Sequence, residues 1–211
     1  MELFGRDGKL DEDVQEVLYE LGNVGVGMAS VTIGRLLGVR IELASPNVIP
    51  VTEVSDQTLL THIGEDDAGI WMHFAEPMRG LVLFILNRSF VYDVVDKMTG
   101  KPYEGEQLYQ NEIAFSAVTE FANMLSAAYM KAVGKYTNLR IFLSPYMFVF
   151  GNVQIMLGDT LHPQGFCADQ AIWVETRFQL LEEDPQTEDA GRVIMLPDDD
   201  TVEMLINALE L

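Results

Sequence analysis

The chain has 211 residues, of which 48% are hydrophobic, enough apolar material for a sizeable core and too much for a disordered chain. Its 33 acidic residues against 13 basic ones leave a formal charge of −20. That balance excludes recognition of a phosphate backbone and docking on an anionic membrane, and favours a cationic partner surface, solubility, or a halophilic source.

Asp11-Glu12-Asp13 opens the first predicted helix, with acids at the end where the helix dipole favours them. Val14, Val17, Leu18, Leu21, Val24, Met28, Val31 and Leu36 then recur at helical spacing to about Gly38. Strands are predicted over Arg40–Ala44, Val48–Val54, Gly69–Phe74 and Gly80–Leu86, with Ser45-Pro46-Asn47 as punctuation. Asn87-Arg88-Ser89 caps a helix over Phe90–Met98, and a second long helix runs from about Leu108 to Gly134. Further strands are expected over Leu139–Leu143, Phe148–Leu157, Ala171–Leu181 and Arg192–Leu196. Glu182–Ala190 reads as a polar loop. Asp200-Thr201-Val202-Glu203 has capping-box spacing for a last helix, Thr201–Leu209. This order is an α+β layout, not βαβ alternation.

One pattern runs through both halves. Glu20-Leu21-Gly22-Asn23 returns as Glu120-Phe121-Ala122-Asn123, and Gly34, Arg40, Ile41 and Leu43 return as Gly134, Arg140, Ile141 and Leu143. The offset is one hundred residues throughout, so a helix-then-strand unit is duplicated within one domain, 1–211, with halves at about 11–100 and 108–211. Ser116, Glu120 and Asn123 fall at i, i+4 and i+7, within an arc of roughly 60° on one helix face. Glu16, Glu20 and Asn23 take the same places in the first copy. An asparagine inside a helix costs roughly half a kcal/mol relative to alanine. Paying that twice, at equivalent sites, calls for a reason beyond helix formation. A carboxylate one turn from an amide suits a task in which the acid holds a cation and the amide orients a water.

Other signals are weaker. One cysteine, Cys167, gives neither a disulfide nor a thiolate cluster, and His62, His73 and His162 have no ligand spacing. The amino terminus has no secretory pattern, and no apolar run approaches the roughly 20 residues of a membrane span; a soluble cytoplasmic protein is expected. Gly22, Gly25 and Gly27 sit in a helical pattern, the wrong context for a dinucleotide loop, and point to close helix–helix approach. Phe142, Tyr146, Phe148 and Phe150 alternate at strand spacing and are expected mostly in the core, as are Met124, Met130, Met147, Met156, Met195 and Met204. Asp198-Asp199-Asp200 reads as a helix cap with solvated neighbours.

Glu20-Leu-Gly-Asn23-Val-Gly-Val-Gly-Met-Ala29 resembles the Glu-x-Gly-Asn-Ile-Gly-x-Gly-Asn-Ala signature of the CheC family, which includes phosphatases of the chemotaxis regulator CheY and is related to CheX, FliY and FliM. The family pattern is Asp or Ser, three residues, Glu, two residues, Asn, then 22 residues and Pro. Glu20, Asn23 and Pro46 match it in the first half, where Glu16 replaces the leading Asp or Ser and Met28 a common Asn. Ser116, Glu120 and Asn123 match in the second half, with Pro145 one residue early, and Tyr129 stands where a tyrosine is common. The shifted proline suggests that the strand after it starts differently.

The resemblance covers essentially the whole chain. It implies a pseudo-twofold fold in which a largely antiparallel sheet is packed by two long site-bearing helices. It implies hydrolysis of the aspartyl phosphate on a CheY-type receiver, with Glu20 or Glu120 anchoring the receiver's lysine and Asn23 or Asn123 orienting the attacking water. Glu16, Ser116, Pro46 and Pro145 are supporting positions. No cofactor belongs to this chain on that reading, because Mg²⁺ sits on the receiver. The alternatives are a non-catalytic adaptor for a receiver or for the deamidase CheD, and, further off, a flagellar switch component.

Overall fold

The computed structural model describes residues 3–5, 9–51, 63–103, 105–153, 171–181 and 189–209. Helix α1, Glu12–Leu37, starts at Asp11, whose carboxylate accepts the Asp13 backbone N–H at 3.0 Å. It ends at Gly38, held in the left-handed region at φ 73°. Strands β1 (Arg40–Leu43), β2 (Asn47–Val51), β3 (Ala68–His73) and β4 (Gly80–Leu86) follow. Then come α2 (Arg88–Thr99), the short α3 (Gln107–Gln110), α4 (Glu112–Thr137), β5 (Met147–Phe150), β6 (Ala171–Leu181), β7 (Asp189–Pro197) and α5 (Asp199–Ala208).

Several boundaries differ from the sequence expectation for local reasons. The second long helix is interrupted at its start. Asn111 adopts an extended backbone, and its side chain accepts the N–H groups of Ile113 and Ala114 at 3.0 and 3.2 Å, so α3 is cut off from α4. The far end extends three residues beyond Gly134, to Thr137, where Asn138 closes the helix at φ 56°. The last helix is capped by Asp198, not Asp200: its carboxylate accepts the Thr201 N–H at 2.9 Å.

The strand expected at Leu139–Leu143 is reduced to one bridge between Leu143 and Phe74, supported by hydrogen bonds from Ala75 N–H to Phe142 O and from Ser144 N–H to His73 O. The strand expected at Phe148–Leu157 stops at Phe150, because Gly151 and Asn152 turn the chain at positive φ. Its residues 154–157 lie outside the described set, as do 52–54 of the strand expected at Val48–Val54. So do residues 182–188 of the expected loop, while Asp189 and Ala190 already belong to β7.

All described strand pairs are antiparallel, in the order β1-β6-β7-β4-β3-β5, with β2 also on β6. The order is a palindrome of the two halves. First-half β1 and β2 lie on second-half β6, and second-half β5 lies on first-half β3, while β7 and β4 meet at the centre. Each half therefore completes the other's sheet edge, the pseudo-twofold arrangement of an internally duplicated α+β fold.

One sheet face, carrying Val82, Phe84, Ile172, Val174, Phe178, Val193 and Met195, packs on the helices through Leu18, Leu21, Phe121, Leu125 and Tyr129. The other face holds a second cluster around Trp71, Leu83, Trp173 and Ile194. Beside that cluster the buried Glu175 carboxylate accepts from Arg177 Nε at 2.9 Å and Trp173 Nε1 at 3.1 Å, with Arg192 Nη1 at 3.4 Å. Central β4 is buried on both faces, which explains its unbroken apolar run.

The helix pair closes on Gly25. A Cβ there would stand 2.5 Å from Cε2 of Tyr129, whose ring meets Phe84 edge-on at 6.0 Å. The glycine reading thus holds at Gly25, where close helix approach is enforced. Gly22 instead faces Pro46 and Val174, and Gly27 has open space. We expect Gly25→Ala to destabilise the fold by about 1–3 kcal/mol, the usual cost of forcing an atom into a packed contact. Urea denaturation checks it, and in a Tyr129→Ala background the added cost should largely vanish.

Candidate functional site

The two Glu-x-x-Asn copies lie in the first half of α1 and of α4, helices that pack against each other over the sheet. Glu16 is exposed, and Glu20 and Asn23 are half-buried. Ser116, Glu120 and Asn123 are all exposed. Among the described residues, none of these six side chains takes part in a hydrogen bond or an ion pair. Each helix therefore offers an uncommitted carboxylate and, one turn on, an uncommitted amide with donor and acceptor both available.

The duplication is visible at atomic level where each helix ends. A Cβ on Gly34 would stand 2.9 Å from the Val39 carbonyl oxygen, and a Cβ on Gly134 would stand 2.8 Å from that of Leu139. The chain folds back on its own helix in the same way twice, and only glycine leaves room for it.

The copies differ in how the following turn meets the helix. Pro46 is buried against α1: a Cβ on Gly22 would lie 3.1 Å from the Pro46 Cβ and 3.2 Å from Val174 Cγ1. This places the proline ring under the residue next to Asn23. The equivalent of Gly22 is Ala122, which carries a buried Cβ, and Pro145 is exposed. That second turn is pinned instead by Ser144, whose Oγ accepts the His73 N–H at 3.0 Å and donates to the Pro145 carbonyl at 3.0 Å. The strands after the two turns nevertheless start at equivalent residues, Asn47 and Met147. The early proline alters which way its ring faces and leaves the strand start where the repeat puts it.

Some sequence expectations fail around this site. Phe142 is 62% exposed instead of buried, and Tyr146, Phe148 and Phe150 are only half-buried, because they lie at or beyond the open edge of the sheet. Phe148 meets Phe150 and Phe115 edge-on, at 4.7 and 6.3 Å between ring centres. Of the methionines expected in the core, Met130 and Met195 are buried, Met124 and Met204 are half-buried, and Met147 is 46% exposed. Exposed Ile113 and Phe115 at the start of α4 went unremarked in the sequence, although alignment on the repeat sets them against Asp13 and Gln15. His73 is half-buried on β3; His62, His162, Cys167 and Met156 lie outside the described residues. In the acidic run Asp198 caps α5 while Asp199 and Asp200 are exposed. Partial desolvation, then the neighbouring Asp198, Asp200 and Glu203 charges, raise the Asp199 carboxyl above its ordinary range.

No protein-family model matches the chain. The CheY-P phosphatase CheC of Bacillus subtilis (strain 168) is 24% identical over 204 residues, a match covering 95% of each chain. Two solved structures share the fold. FliY of Thermotoga maritima superposes with a TM-score of 0.67 at 20% identity, covering 95% of this chain and 98% of that one. CheX in the CheX–CheY–BeF3–Mg2+ complex of Borrelia burgdorferi superposes with a TM-score of 0.56 at 13% identity, covering 83% and 97%. A duplicated antiparallel sheet under two helices, each with its own Glu-x-x-Asn, defines a CheC-like protein. Matched over nearly its whole length by CheC at 24% identity, the chain is CheC-like in sequence and in fold; that relative is a CheY-P phosphatase. Among the described residues no helix is long and apolar enough to cross a membrane.

Because both asparagine side chains are uncommitted and mid-helix, replacing either by alanine should leave stability unchanged or raise it by about half a kcal/mol through helix propensity. Chemical denaturation of Asn23→Ala and Asn123→Ala checks this. A loss above about 1 kcal/mol, well outside the range of neutral surface changes, would show that the amide has a structural partner.

Proposed function

We propose that this chain hydrolyses the aspartyl phosphate of a CheY-type receiver domain, and that its two halves, 11–100 and 108–211, act as one cytoplasmic domain with one site on each long helix. The observation that carries this is the pair of uncommitted Glu-x-x-Asn stripes, repeated at the same helical positions on a CheC-like fold. Glu20 or Glu120 pairs with the ammonium of the receiver's lysine and fixes the two proteins in register. Asn23 or Asn123 then enters the receiver pocket, and its amide holds a water in line with the phosphorus. The water oxygen bonds to phosphorus as the bond from phosphorus to the aspartyl oxygen breaks. Aspartate leaves as a carboxylate, and the water's proton goes to the released phosphate or to solvent.

An acyl phosphate is already activated, so no strong base is required of this chain; positioning supplies most of the gain. The Mg²⁺ of the reaction belongs to the phosphorylated receiver, which is the substrate. Glu16 and Ser116 head the two stripes, and Pro46 and Pro145 shape the turns beside them.

The test is decay of a CheY-type receiver, phosphorylated with acetyl phosphate in the presence of Mg²⁺, followed by phosphate release. Wild type should accelerate the decay. The double variant Asn23→Ala/Asn123→Ala should lose roughly a hundredfold of that stimulation, the scale of losing one positioning contact. It should keep the wild-type circular dichroism spectrum. Receiver binding without any acceleration by wild type would instead make the chain an adaptor.

A further inference from the structure

The two stripes share their Glu and Asn and differ at their ends. On α1, from Asp13 up to Val31, the residues within about 80° of arc are Asp13, Glu16, Glu20, Asn23, Gly27 and Val31. On α4, one hundred residues later, they are Ile113, Ser116, Glu120, Asn123, Ala127 and Lys131. The first stripe thus carries three carboxylates and no cation, and the second carries one carboxylate and one ammonium. Among the described residues, Asp13, Glu16, Glu20, Glu120 and Lys131 have no ion-pair partner that would neutralise them. The apolar ends are exposed too. Val31 is 44% exposed at the far end of the first stripe, and Ile113 is 61% exposed at the near end of the second.

We propose that these ends set receiver specificity, so that the α1 site recruits a receiver with a basic rim around its phosphate pocket while the α4 site recruits one through an apolar rim. The inference rests on the proposed phosphatase reading and concerns Asp13, Val31, Ile113 and Lys131, none of which touches the reacting atoms. The physical basis is range. Three like charges on one stripe attract a basic surface over about a Debye length, roughly 10 Å at 0.1 M salt, and lose most of that pull as salt rises. Contact between Ile113 and an apolar rim is short-ranged and nearly indifferent to salt. Charge elsewhere on the chain adds a background at each site, so an exchange of the stripe ends, which leaves that background in place, isolates the stripe's own share.

Single-site proteins separate the two: Asn123→Ala leaves only the α1 site, and Asn23→Ala only the α4 site. With a CheY-type receiver of basic rim, phosphorylated by acetyl phosphate, KM at the α1 site should rise about tenfold between roughly 0.02 and 0.2 M salt. KM at the α4 site should change less than about twofold, and kcat at neither should follow salt. Adding Asp13→Ile and Val31→Lys to the Asn123→Ala protein should flatten its salt slope and leave kcat unchanged. Equal slopes in the two single-site proteins, or a slope that survives this exchange of ends, would overturn the specificity while the phosphatase function stood. Inactivity of either single-site protein beside an active wild type would overturn it as well, since a dead site selects nothing. An inactive wild type would remove the proposed function itself and the inference with it.

Discussion

The contact between α1 and α4 at Gly25 and Tyr129 is the constraint from which the rest of the molecule follows. Each half carries one long helix, and neither helix can bury its apolar stripe on its own half of the sheet alone, because the outer strands are exchanged between halves. The helices must therefore share one core. A ring as large as Tyr129 fits between them only because residue 25 has no Cβ. The repeat-related pair reverses the roles: Leu125 is the large residue and Ala29 the small one, and both are buried. Exact symmetry would have put two rings or two gaps at the helix crossing, so packing at the centre needs unequal halves.

Close packing on one side of each helix leaves the other side free. Glu20, Asn23, Glu120 and Asn123 lie away from the helix contact, on helices whose caps and buried faces already fix their position. A carboxylate and an amide held on a rigid helix lose little further entropy when a partner docks. Side chains on a loop would have to be ordered first. The helical asparagines are locally unfavourable by a few tenths of a kcal/mol each, and the packed core behind them absorbs that cost.

What was legible in the sequence was what depends on neighbours along the chain. Helix α1 could be placed nearly to the residue, because Asp11 and Gly38 are strong local signals for its two ends, and the β4 run of seven apolar residues left no other reading. The candidate site residues stood out because a duplicated motif reports itself by its offset. What could not be read depended on contacts between distant segments. Asn111 is the local exception: its side chain caps α4 and wins over helix continuation, although the apolar periodicity runs through it. Leu139–Leu143 has strand composition, yet it meets only the very end of β3 and forms a single bridge. Phe142 has core composition and is nevertheless 62% exposed. The buried Glu175 was likewise invisible, since its arginine and tryptophan partners have meaning only once β6 and β7 are paired.

The unequal prolines show how far the two copies have separated. Both halves fold back from their helix through the same glycine–carbonyl contact and begin the next strand at the same place, so the backbone route has been kept. Within that route the first turn drives Pro46 against a glycine, stiffening the helix surface beside Asn23 with a ring that cannot move independently of the backbone. The second turn gives up that contact, accepts a buried methyl group at Ala122, and ties itself to β3 through Ser144. Asn23, beside that ring, is half-buried, and Asn123 is exposed. The two helices therefore differ in how far they cover the same pair, half-buried on α1 and exposed on α4, a difference that a duplicated chain reaches without changing either the glutamate or the asparagine.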